Sequence, residues 1–180
     1  MFSQHTFTYS SAMRHVLLLL FALIPAYSRA QAPPASYRDD LLDRLAGSWN
    51  AVGIVHGNQS RQRFSGEWVL QHQFFRLSQT SAEKSAATGT PYEGVFYIGW
   101  DDTQRHYIAH LMNVFGGRDS EILGYGQRNG NEIQFVFKSV EGSVVERFRW
   151  EPKTKAWRVL STLSTPEAKP FLELTMTRSR

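Results

Sequence analysis

Cysteine is absent from the 180 residues. That excludes a disulfide, a thiol nucleophile and a thiolate metal site. Charge of one sign is scarce. The formal charge is +4, and two of the positive residues, Arg14 and Arg29, lie in a leader-like segment, which leaves +2 for the remainder. So small a surplus gives no electrostatic footprint for nucleic acid. Long apolar runs are missing too. The longest near the N-terminus, Val16 to Ile24, has nine residues, against the ~20 needed to cross a bilayer. Helical periodicity is almost wholly lacking. No Gly-x-Ser-x-Gly elbow, no P-loop and no G-x-G-x-x-G after a strand occurs.

What is present is apolar and aromatic: 42% hydrophobic residues and 13% aromatic ones, enough for one globular domain with a core. The first 32 residues read as a signal peptide. Met13-Arg14-His15 supplies a basic start, Val16 to Ile24 an apolar centre, and Ala30-Gln31-Ala32 a small-residue cleavage site ahead of Pro33-Pro34. The polar leader before Arg14 points to Met13 as the start of translation. The expectation is a periplasmic or secreted domain over 33–180, with no stable membrane anchor after cleavage.

Ser36 is positioned to cap a helix from Tyr37 to Leu45. Asp39 and Asp40 suit its first turn, Leu41, Leu42 and Leu45 share a face, and Gly47 ends it. A helix this short needs packing, so it is placed as a lid over one end of a barrel.

From Trp49 onward the reading is strand: 48–56, 62–71, 73–80, 92–100, 105–115, 120–128, 131–139, 143–150, 156–163 and 171–178. Gly57-Asn58, Asp101-Asp102, Gly116-Gly117, Asn129-Gly130, Glu141-Gly142 and Pro152 separate many of them. Ser81 to Thr90 is small and polar and reads as a long mobile loop. About ten strands at this spacing predict an all-β fold, a single antiparallel up-and-down barrel, with an open sandwich as the other architecture. Closure would make the first and last strands neighbours, so that Arg178 stacks on Trp49 while Gly47 lets the backbone pass close by.

Alternation assigns the faces. Phe64, Gly66, Trp68 and Leu70 point inward, as do Ile133, Phe135 and Phe137, and Trp157, Val159 and Leu163 form another apolar set. Two strands stay open. On 105–115, Tyr107, Leu111 and Asn113 share one face, and His106 and His110 the other. On 143–150, Arg147 and Arg149 oppose Glu146, Phe148 and Trp150. Either mixed face can be lumen or wet exterior. Gly124-Tyr125-Gly126 reads as a bend within its strand.

The candidate chemistry is modest. His106 and His110 at i and i+4 on a strand stand about 13 Å apart, too far to share a metal ion. Either alone remains a haem-ligand alternative; otherwise no cofactor and no metal are implied. Asp101 and Asp102 cap their turn. An inward Arg147 would hold a carboxylate through two contacts, while an outward one would simply pair beside Glu146.

Gly47-x-Trp49 and Arg178 resemble the calycin-like barrels, the group of lipocalins, fatty-acid-binding proteins and nitrobindins. Leu42-x-x-Leu45-x-Gly47-x-Trp49, Gly99-Trp100-Asp101, Arg147 and Thr177-Arg178 look most like an exported bacterial family of unknown function with that fold. The resemblance spans 42–178. It implies a barrel with a large aromatic inward where Leu111 stands, and carries no activity. The Gly-rich repeat and late His of nitrobindin-like haem proteins are missing here.

These observations lead to an exported small-molecule-binding barrel for an apolar or amphipathic ligand. Its expected wall is Trp68, Phe96 and Leu111, and its polar end Tyr107, Asn113 and Arg147, selecting an amphipathic anion. The rivals are a cyclase- or isomerase-type barrel enzyme and a non-catalytic partner-binding module.

Overall fold

The computed structural model describes residues 36–86, 88–117, 120–139, 142–165 and 167–180. The expected signal peptide lies outside them. One short helix, α1 (Asp40–Leu45), precedes ten strands: β1 (Gly47–Val55), β2 (Asn58–Val69), β3 (Phe74–Lys84), β4 (Pro91–Asp101), β5 (His106–Asn113), β6 (Glu121–Asn129), β7 (Glu132–Ser139), β8 (Gly142–Glu151), β9 (Ala156–Thr165) and β10 (Glu167–Arg178). Each strand pairs antiparallel with the next, and β1 pairs with β10, so the sheet closes. Closure leaves no sheet edge unpaired. The open sandwich is excluded.

At the seam Trp49 and Arg178 are direct cross-strand partners. The Arg178 guanidinium carbon lies 4.2 Å from the Trp49 ring centre, and its Nη1 donates to the Ala46 carbonyl. The buried Trp49 indole donates to the Leu45 carbonyl at 2.8 Å. Gly47 adopts φ +99°, and a Cβ there would collide with Arg178 Nη1. One arginine thereby ties the last strand to the residue that links helix and barrel.

The helix is shorter than expected and its cap is different. Asp39, not Ser36, is the N-cap, and its Oδ1 accepts from the amides of Leu41 and Leu42 at 2.8 and 2.9 Å. Tyr37 stays outside the helix and stacks on Trp100, with ring centres 5.8 Å apart. A carboxylate satisfies two orphan amides at once, which makes Asp39 the better stop. Leu41, Leu42 and Leu45 are fully buried in the barrel core, so α1 plugs the end at which β1 begins. The Tyr107 hydroxyl, from β5, donates to Asp39 Oδ2, which also accepts from Tyr37 at 3.0 Å. Arg128 of β6 adds a 2.7 Å contact to Asp40.

Four other expectations change. The loop read over 81–90 loses its first four residues, because β3 runs on to Lys84 while Ser81 Oγ accepts from the Tyr92 amide at 2.8 Å. Gly124 and Gly126 do not bend β6. They are cross-strand partners of Phe137 and Phe135, whose rings occupy the space a Cβ would need. Leu70 does not point inward; it is exposed, in a turn where Leu70, Gln71 and His72 all have φ between 50° and 66°. Left-handed residues of this kind cost about 1–2 kcal/mol each, offset in part by His72 stacking on Trp68 at 4.0 Å. β10 begins before Pro170, and its register shifts between Pro170 and Leu172, where a residue without an N–H can be accommodated.

Candidate functional site

Parity along the strands decides what the lumen contains. Strand reversals place α1 and the turns after β2, β4, β6 and β8 at one end; the turns after β1, β3, β5, β7 and β9 form the other. The helix-side half is filled by rings. Phe96 sits 6.2 Å from Phe137 and 6.1 Å from Phe148, and Tyr107, Phe135, Trp150 and Trp157 continue the packing toward α1.

The loop-side half is different. Its buried side chains include a polar set, Ser60, Gln62, Gln79, Glu146 and Ser161, beside the apolar Phe137 and Leu172. Gln79 donates to Gln62 Oε1, Gln62 Nε2 reaches Ser60 Oγ at 3.3 Å, and Ser60 reaches Glu83 at 3.2 Å. Glu146 follows the inward face of β8, two residues from the buried Phe148. It is 7% exposed. Its carboxyl has no hydrogen-bond partner among the described residues. Burial pushes that carboxyl from an ordinary 4.5 up to about 7. Tyr92, two residues before Gly94 on β4, closes over this region. Its hydroxyl comes within 2.7 Å of where a Cβ on Gly94 would stand, and its ring lies 5.8 Å from that of the exposed Phe115. Burial first, then the nearby Glu146 charge, pushes the Tyr92 phenol well above its usual range, so it remains protonated.

The six residues expected to line the site are scattered. Trp68 lies at the helix end, its indole donating to Asp43 at 2.7 Å. Tyr107 is at that same end, bonded to Asp39. Phe96 belongs to the aromatic layer, with Leu111 as its half-buried cross-strand partner. Asn113 stands at the loop end, where its Oδ1 accepts from the Phe115 amide at 3.0 Å and Ser120 Oγ at 3.1 Å. Tyr107, Leu111 and Asn113 do share the inward face of β5. Six positions of a strand span about 20 Å, so Tyr107 and Asn113 cannot form one polar end. Arg147 lies on the outer face, its Nε donating to Gln134 Oε1 at 2.9 Å. Desolvating a guanidinium is dearer than desolvating a carboxyl that can protonate, so β8 turns Glu146 in and Arg147 out.

His106 and His110 are also on the outer wall, beside Asp101 at 3.9 Å and Glu121 at 2.9 Å. Neither faces the lumen. Two surface depressions, of about 390 and 310 Å³, lie along β1–β3 and β3–β5 rather than inside the barrel. Exposed apolar pairs Val52 and Ile54 on β1, and Leu123 and Tyr125 on β6, sit on opposite sides of the ring. Scattered pairs of this kind are ordinary protein surface.

Glu146, Gln62 and Gln79 escaped the sequence reading. The signal was parity: Gln62 is in phase with Phe64, and Glu146 with Phe148 and Trp150.

The molecule is a closed ten-stranded antiparallel barrel with an aromatic lower core, compatible with a calycin-like fold. No protein-family model matches the chain, and no curated protein matches it.

Proposed function

We propose that this protein is an exported small-molecule-binding barrel for an apolar or amphipathic ligand, held in the loop-side half of the lumen. The observation that carries the reading is Glu146. A carboxyl at 7% exposure without a hydrogen-bond partner among the described residues costs stability. Groups kept in that condition collect at functional sites. The Phe135 ring, level with Glu146 on the ladder, and the Phe148 ring, one inward position nearer α1, offer an apolar base, and the amides of Gln62 and Gln79 a polar wall, the usual mix of a ligand site. The leader over residues 1–32 supports export to the periplasm or beyond.

Native mass spectrometry of the protein purified from its own host is expected to show a small adduct on the folded chain. A bare chain that also fails to bind the apolar fluorophore N-phenyl-1-naphthylamine would overturn the reading. A carboxyl that titrates near pH 7 also suits proton transfer, so an isomerase-type barrel enzyme is the second reading. Conversion of a captured ligand, rather than its retention, distinguishes the two.

A further inference from the structure

The amphipathic anion expected from the sequence depends on an inward Arg147. With Arg147 outside and Glu146 inside, the polar group aimed into the lumen has the opposite sign. Every positively charged side chain of β8 faces away: Arg147 bonds Gln134 and Arg149 bonds Glu132 on the outer wall. Glu146's ladder neighbours are Phe135 on β7 and Ser161 on β9, and the titratable group facing it from β4 is Tyr92. None of these is a cation. An acceptor-only carboxylate in a low-dielectric site, with Phe135 and Ser161 as its cross-strand neighbours, lacks the donor that would compensate its burial.

We infer that the loop-side lumen is a site for a small amphipathic cation, a primary amine on a short apolar body, with Glu146 as the carboxylate that receives the ammonium. This rests on the ligand-binding reading above and specifies the class of ligand. The apolar body lies against Phe96 and Phe148, and its size is limited because the aromatic layer closes the barrel below. Tyr92 is the gate. Gly94 leaves the space into which its hydroxyl folds, and rotating the ring out of that space and away from β4 uncovers Glu146.

Three probes of one chain length test the proposal: octylamine, octanol and octanoate, titrated calorimetrically into the full chain at neutral pH. Octylamine is expected to bind at least about tenfold more tightly than octanol, with octanoate weakest. In Glu146→Gln the amine should fall to the level of the alcohol while the alcohol is unchanged. Equal affinity of the three probes in the unaltered chain, or preference for octanoate, overturns the cation proposal but leaves ligand binding standing. An amine preference that survives in Glu146→Gln overturns Glu146 as its receiver. Binding of none of the three, together with a bare chain in the mass spectrometer, rejects the ligand-binding reading itself. The comparison within the unaltered chain does not depend on how well the variant folds.

Discussion

Replacing Glu146 by Gln should stabilise this protein, and the gain should depend on pH in a defined direction. The side chain keeps its shape and loses its ability to ionise. In the folded chain burial pushes the carboxyl from 4.5 to about 7. Between those values the folded state holds a proton that the unfolded state has released. A group raised in this way leaves stability intact below about pH 4.5 and removes it as pH climbs toward and through 7. At ~1.4 kcal/mol per pH unit the full loss is roughly 3 kcal/mol, a large part of the ~5–15 kcal/mol that holds a domain folded. Urea unfolding followed by tryptophan fluorescence, at intervals from pH 4 to 8, measures it. The advantage of Glu146→Gln over the unaltered chain should grow by about 3 kcal/mol across that range, with the urea slope unchanged. Tyr92, the titratable neighbour facing Glu146, stays protonated throughout and adds no slope of its own. A difference that is flat with pH would refute the reasoning: the carboxyl would then be hydrated or compensated in the folded state, and it would no longer mark a site.

Two further predictions concern the framework. Trp49→Ala should cost about 3–5 kcal/mol, and a double-mutant cycle with Arg178→Ala should return a coupling of ~0.5–2 kcal/mol from the stacked guanidinium; strict additivity in urea unfolding would mean that the 4.2 Å contact contributes nothing. Tyr107→Phe removes a buried donor to Asp39, the cap of α1, and should cost about 1.5–3 kcal/mol, with loss of amide-exchange protection at Leu41 and Leu42; an unchanged exchange rate there would show that the helix does not depend on the clasp.

Much of the fold was legible because it depends on short-range patterning. Turn signals at Asp101-Asp102 and Asn129-Gly130, alternation over 62–70 and 132–138, and a near absence of helix period specify strands and their order. Ten such strands in an up-and-down series leave closure as the solution to their edges, and Trp49 and Arg178 stand where closure joins them. The end of α1 was less legible, since Ser36 and Asp39 are both competent caps. Asp39 caps two amides at once, and the distant Tyr107 and Arg128, gathered around the acidic turn, favour it further.

The candidate site was hidden for a different reason. A strand shows two faces, and local sequence gives no sign of which is lumen when both carry charge. On β8 the choice between Glu146 and Arg147 falls to the whole barrel: Phe148 and Trp150 must join the aromatic core, and period two then carries Glu146 inward with them. Likewise the sequence put Tyr107 and Asn113 on one face, but which end of the barrel each occupies depends on where α1 plugs it. The sequence by itself determined strands, alternation and the residues that meet at the seam, because each follows from backbone geometry within a few positions. Only the tertiary structure decided the sign of the charge facing the lumen, because that depends on desolvation summed over residues far apart in the chain.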